Sequence, residues 1–236
     1  MNETHPAETA PASPTPRDPD EPWGMQLAVR YDKNDLSSHR AVCEAAAQAV
    51  VSLLADERAR GEGAWAADVH HWRRGRIRKL VRRARGIRWE RAQEIPGVTV
   101  DHHGAQVRAF VPMPARPLPK ILDDLQVAGT DFPREDDSSI DESAAQVVIA
   151  LNPAVKLSSG KAAAQCGHAA QLAWERLVLD HESAKLRAWF DQGWRVLVLD
   201  APTPARWSTL EDAPVRVVDA GLTEVDGPTE TARAFW

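Results

Sequence analysis

The chain has 236 residues, 43% of them hydrophobic and 27% charged, with a formal net charge of −5. That balance is the one expected of a globular protein with one large or two small domains, and it excludes a disulfide scaffold, since only Cys43 and Cys166 are present. The longest apolar helical stretch, residues 41–55, carries Glu44 and is too short for a bilayer; the polar, proline-rich start has no apolar signal core, so a cytoplasmic protein with no membrane partner is expected.

Residues 1–22 hold six prolines and five acidic residues against one arginine and predict a disordered tail. Residues 23–128 predict an α/β domain. Residues 25–31 alternate as a strand, and residues 37–60 place Val42, Ala46, Ala49, Val50, Leu53 and Leu54 on the inner side of a helix. Residues 65–89 predict a second helix or a pair broken near Gly75. Within them Ile77, Leu80, Val81 and Ala84 repeat as a core face, while Arg74, Arg78, Arg82 and Arg85 form a basic stripe. Ten basic residues and one acid lie between Trp72 and Arg91, the footprint of a phosphate-backbone reader. Trp72 and Trp89 flank the stripe and are placed in the core, with base stacking as the other option. Residues 98–100 and 106–111 flank Asp101-His102-His103-Gly104 as a hairpin. Residues 129–145 carry six acidic residues and one arginine and predict an acidic linker.

Residues 146–236 alternate strand and helix, which predicts a three-layer α/β unit with a four-stranded mixed sheet. The apolar run 147–151 leads into a helix over residues 159–179, followed by a short helix (183–192), a strand (195–199), a helical turn after Pro204, a strand (215–218) and a last strand near 229–235. On the long helix Lys161, Gln165 and His168 stand at i, i+4 and i+7 and share a stripe, while Cys166, Ala169, Ala170, Ala173 and Leu177 form a small, apolar one. A helix that only filled a core would have little use for a cation, an amide and an imidazole in a row.

Two motifs carry a resemblance. Gly160-Lys161, Ala163-Ala164-Gln165 and His168-Ala169, followed by Asp219-Ala220-Gly221-Leu222-Thr223, resemble the type II peptidyl-tRNA hydrolase family in order, spacing and intervening pattern over about 90 residues. The chain departs from the family pattern in having Pro153-Ala154 and Leu157 before the first motif, Leu222 in place of an arginine, and Gly227-Pro228 for a Pro-Gly turn. The resemblance implies hydrolysis of the ester joining a peptide to the 3′ ribose of tRNA, with peptidyl-tRNA as partner and no metal or other cofactor. It implies Asp219 as the group that orients or deprotonates water, Lys161 with its helix N-terminus as a seat for negative charge, Gln165 and Thr223 as hydrogen-bonding groups, and His168 as a proton carrier or a packing residue. The pairs His70-His71 and His102-His103 lack cysteine or carboxylate partners at zinc spacing, so no metal is expected.

The second half has nine basic and eleven acidic residues and is poorly charged to hold tRNA alone. The first half is therefore expected to supply the electrostatic grip. It also echoes the second, strand to alanine-rich helix to basic second helix to closing hairpin, with Ala45-Ala46-Ala47-Gln48 beside Ala162–Gln165. A degenerate copy packed as a pseudo-dimer within a monomer is one expectation, a homodimer the other. The alternative function is a non-catalytic RNA-binding or regulatory protein that kept the fold.

Overall fold

A computed structural model describes residues 21–135, 140–221, 224 and 227–236. The predicted tail falls almost wholly outside that set, as does Thr223.

The first half runs β1 (Trp23–Arg30), α1 (His39–Ala55), α2 (Ala66–Arg74), β2 (Arg78–Ala84), α3 (Ile87–Ala92), β3 (Gly97–His102) and β4 (Ala105–Phe110), then a two-residue β5 (Met113–Pro114) and α4 (Lys120–Asp123). The second runs β6 (Val147–Leu151), α5 (Ser159–Leu179), α6 (Ser183–Asp191), β7 (Val196–Leu199), α7 (Pro204–Ser208), β8 (Val215–Asp219) and β9 (Thr229–Phe235). The two halves share one topology. In the first, β1 pairs parallel with β2 and antiparallel with β4, and β4 pairs antiparallel with β3. In the second, β6 pairs parallel with β7 and antiparallel with β9, and β9 pairs antiparallel with β8. The strand orders are β2-β1-β4-β3, with β5 added beside β1, and β7-β6-β9-β8. The mixed α/β architecture expected from the sequence is thus present, with the four-stranded sheet in the second half.

Both long helices start at a serine cap. Ser38 accepts from the Ala41 N–H and Ser158 from the Lys161 N–H, each satisfying one of the free amides of a first helical turn. The helices then pack on each other, and their small residues set the distance. A Cβ on Gly167 would meet Val50 Cγ2 at 3.1 Å and Lys79 Cδ at 3.2 Å. One hydrophobic core therefore runs from Met25, Val42 and Val50 through Cys166, Ala170 and Ile149 to Val217 and Ala234. Smaller clusters cover the outer sheet faces, around Trp89, Phe110 and Leu122 on one and Val148, Leu199 and Leu210 on the other.

The structure corrects the basic helix expected over residues 65–89. Residues 66–74 are helical, but Arg78–Ala84 is β2, an edge strand paired along its length with β1. Gly75 and Gly86 bracket a segment too short for a stable helix, and strand pairing decides its conformation. A period of two replaces the period of 3.6, so Arg74, Arg78, Arg82 and Arg85 do not form a helical stripe. Lys79 faces α5, whereas Arg82 is buried on the opposite face, donating to Gln26 Oε1 (2.9 Å) and the Leu125 carbonyl (3.1 Å). Arginines on an edge strand also discourage pairing with a foreign strand. Trp72 and Trp89 are both buried, in keeping with the core placement.

The described part of the acidic segment packs against both halves. The His39 N–H donates to the Pro133 carbonyl, the Gly160 N–H to the Thr130 carbonyl, and the Phe132 N–H to Ser159 Oγ. Where these meet, buried His39 lies 2.8 Å from Ser159 Oγ through Nδ1 and 3.0 Å from Asp200 Oδ1 through Nε2. Arg134 bonds Asp200 from the other side and the Leu157 carbonyl as well. Burial opposes a charge on His39, but the Cys43 sulfur and the Asp200 carboxylate outweigh it and raise its pKa to about 9. Serine, histidine and aspartate are thus in line, yet a protonated His39 donates to Ser159 and cannot take its proton. The cluster is an internal ion pair rather than an activated nucleophile.

Candidate active site

Asp219 is the last residue of β8 and the focus of the second half. Its Oδ2 lies 2.6 Å from Lys161 Nζ and accepts from Gln165 Nε2 at 2.7 Å; its Oδ1 accepts from the Gly221 N–H at 2.9 Å. Lys161 and Gln165 reach it from successive turns of α5, as their spacing predicts. Partial burial of Asp219 disfavours its charge, but Lys161, the Gly221 amide and Gln165 together hold its carboxyl below the ordinary carboxylate range. At neutral pH it is therefore an anion.

Gln165 is buried and gripped at both ends, since its Oε1 accepts from Thr231 Oγ1 at 2.9 Å. Thr231 reaches it because of a bulge. In the β8–β9 register Val217 opposes Ala232 and Val218 opposes Glu230, leaving Thr231 as the extra residue. A bulge re-aims one side chain out of the pleat, and here it aims a hydroxyl at α5. Nothing in the sequence marks Thr231, because an extra residue in a strand leaves no sign until the partner's register is known.

A second residue that local pattern does not mark is Glu224. Its carboxylate accepts from the Ser158 N–H (2.9 Å) and Ser158 Oγ (2.6 Å), tying the β8–β9 connection to the start of α5. A carboxylate there is favoured by the free amides and dipole of the helix end. The turn after Asp219 requires glycine on two counts. Gly221 has φ +76°, and a Cβ there would stand 2.4 Å from the Gly227 nitrogen. Gly221→Ala is therefore expected to destabilise the fold by about 1–3 kcal/mol and to pull Asp219 from its amide donor. Thermal melting checks the first effect, and loss of turnover at temperatures where the variant is fully folded checks the second.

His168 is turned elsewhere. Its Nδ1 lies 3.2 Å from Lys79 Nζ, and Lys79 also donates to Gln171 Oε1, in a chain that runs through Gln171 Nε2 to Glu175 and on to Arg73. Burial, then Lys79 and Lys161, push the His168 pKa well below 6.5. Burial likewise lowers Lys79, to about 7, against the pull of Glu175. His168 is thus a neutral acceptor at the junction of α5 and β2, outside the hydrogen bonds of Asp219. Of the five residues singled out, Lys161, Gln165 and Asp219 are brought together, His168 faces the first half, and Thr223 lies outside the described residues.

The first half has the scaffold of this site without its chemistry. Counting from the serine caps, Ala41 and Ala45 occupy the positions of Lys161 and Gln165, and the last residue of β3 is His102 where β8 ends on Asp219.

The Lys161–Gln165–Asp219 cluster and the β7-β6-β9-β8 sheet lie in the half of the chain that is similar to known proteins. Residues 145–235 match the family described as peptidyl-tRNA hydrolase PTH2. A peptidyl-tRNA hydrolase from Pyrobaculum aerophilum is 40% identical over 98 residues, an alignment spanning 37% of this chain and 79% of that protein. The chain belongs, through its second half, to the PTH2 family of peptidyl-tRNA hydrolases. No solved structure matches it. No helix among the described residues is long and apolar enough to cross a membrane.

Proposed function

We propose that the protein hydrolyses peptidyl-tRNA, releasing the peptide and a tRNA with a free 3′-hydroxyl. One observation carries the reading: Lys161, Gln165 and Asp219 form a single hydrogen-bonded cluster in the half whose sequence matches the family. Water adds to the ester carbonyl carbon, the bond from that carbon to the ribose oxygen breaks, and a proton passes to the departing oxygen. Asp219 is too acidic to be a strong base. Its Oδ1 receives the Gly221 amide on one lone pair, and the second suits it to accept from water and aim the water's own lone pair at the carbonyl. The Lys161 ammonium, in the first turn of α5, stabilises the charge that grows on the carbonyl oxygen. Gln165, held by Thr231, is a positioning residue: it fixes the carboxylate that holds the water. The protein acts in the cytoplasm, in ribosome rescue, as a monomer whose first half occupies the place of a second copy.

The grip on RNA comes in this reading from the first half. Arg74 and Arg85 are exposed, and Arg78 is half-buried on the β2 edge. Arg82 is committed to Gln26 and Leu125 and takes no part. Release of labelled peptide from peptidyl-tRNA by the full chain tests the enzyme; a protein that retards the RNA without releasing peptide would be a binder only. The double variant Arg74→Glu/Arg85→Glu is expected to weaken tRNA binding and flatten its salt dependence, by about 0.7–0.9 in slope for each phosphate left without its cation. Turnover of a minimal aminoacyl ester should stay the same. Equal loss on both substrates would refute the division of labour.

A further inference from the structure

We propose that the first half binds a divalent transition-metal ion, with Zn2+ as the best fit, through Glu44, His102 and His103. One donor atom from each of these side chains lies within 4.8 Å of the other two. Local spacing offers the histidine pair no carboxylate; the partner stands on α1, 58 residues away from His102. Glu44 is buried; its Oε2 lies 2.9 Å from His102 Nε2, and its Oε1 accepts from the Val198 N–H of β7 at 2.9 Å.

Adjacent residues of a strand normally point to opposite faces, so two consecutive histidines would diverge. They converge here because His103 leaves the strand. It has φ +49° and is followed by Gly104 at φ +79°, the pair of positive angles of a two-residue hairpin turn whose first place favours asparagine, aspartate or glycine. Histidine accepts the left-handed conformation at some cost, and such strain is retained where it places a side chain for use. The two imidazoles meet edge to face, 4.3 Å apart between ring centres.

Two histidines and a glutamate with one open position is a donor set that suits zinc. The open side is a cavity of about 510 Å³ whose lining includes Asp35, Ser37, Arg40, Glu44, His103 and Glu135. Its place in the fold adds weight. His102 ends β3 as Asp219 ends β8, so the ion occupies in one half the strand end that the lysine–aspartate pair occupies in the other. A bound ion would tie α1 to the β3–β4 hairpin and, through the second oxygen of Glu44, to β7 of the other half.

The test uses the full chain without an affinity tag. Titration with Co2+, followed by its visible absorption, and with Zn2+, followed by calorimetry, is expected to give one ion per chain and a higher Tm. His103→Ala is the informative variant, because His103 is exposed and its removal leaves the Glu44–His102 pair in place. It should weaken binding by at least about tenfold, the lower end of the penalty for disturbing even the outer shell of a metal site, and abolish the Tm rise. Glu44→Gln, which keeps an oxygen for the Val198 N–H, should do the same. His70→Ala on α2 should bind as the unaltered chain does. Absence of stoichiometric binding, or undiminished binding by His103→Ala, would overturn the proposal and leave the hydrolase reading untouched.

Discussion

Lys161→Ala is expected to lower kcat on peptidyl-tRNA by about 10²–10³-fold, the usual cost of removing one preorganised donor from a developing oxyanion. The ammonium sits 2.6 Å from Asp219 with only 15% of its side chain exposed, so its field is weakly screened. Asp219→Asn should cost as much. The amide has one oxygen where the carboxylate offered two, and it turns an NH2 group either toward the donors Lys161 and Gln165 or toward the Gly221 N–H. The double variant should be hardly worse than the poorer single one, because the two groups act as a unit. Single-turnover measurement on peptidyl-tRNA, with circular dichroism to confirm folding, checks all three. A change confined to KM would show that Lys161 holds RNA without stabilising the transition state. Because Asp219 is held below the ordinary carboxylate range, its protonation should cause no loss of rate from neutrality down to about pH 4. An acid limb near pH 6 would point to a different group.

His39→Gln is expected to destabilise the protein by about 3 kcal/mol near pH 6, a cost that shrinks as the pH passes 9. The folded protein raises His39 from 6.5 to about 9, and that difference is worth about 3 kcal/mol. The sign follows from the direction. A raised pKa means that the folded chain binds the proton more tightly, so the stabilisation is complete below pH 6.5 and disappears as the pH climbs through 9. Lys79 works the other way. Burial lowers it to about 7, so it costs stability below that pH, and the cost is relieved between about 7 and 10.5. The two slopes oppose each other between about pH 7 and 9, and the unaltered protein should show a nearly flat stability there. The difference between parent and His39→Gln removes the Lys79 contribution, which both share. Urea unfolding of the two proteins on either side of the window, near pH 6 and above about pH 9, is the measurement. A difference independent of pH would mean that His39 is neutral and only packs.

The meeting of Lys161, Gln165 and Asp219 was legible because its parts are local. The i, i+4 spacing of Lys161 and Gln165 places both on one helical stripe wherever the helix goes, and the motif that opens on Asp219 follows a strand by its own pattern. The strand–helix alternation of residues 146–236 was legible for the same reason: each element has its period written in its own residues. The basic segment misled for the converse reason. Its apolar residues fit a helical period over one short window, and only pairing with β1, far earlier in the chain, makes it a strand.

Within single elements, then, the order of amino acids by itself settled the small-residue face of α5 and an amide and a cation one helical turn apart. Tertiary structure decided what no window contains. It set the β8–β9 register that frees Thr231 for Gln165, turned His168 toward Lys79, buried His39 against Asp200, and brought Glu44 to a histidine pair on a distant hairpin. The physical reason is one of range. Helical and strand periods act over a few residues, whereas register, burial and ion pairing depend on which distant segment comes to lie alongside.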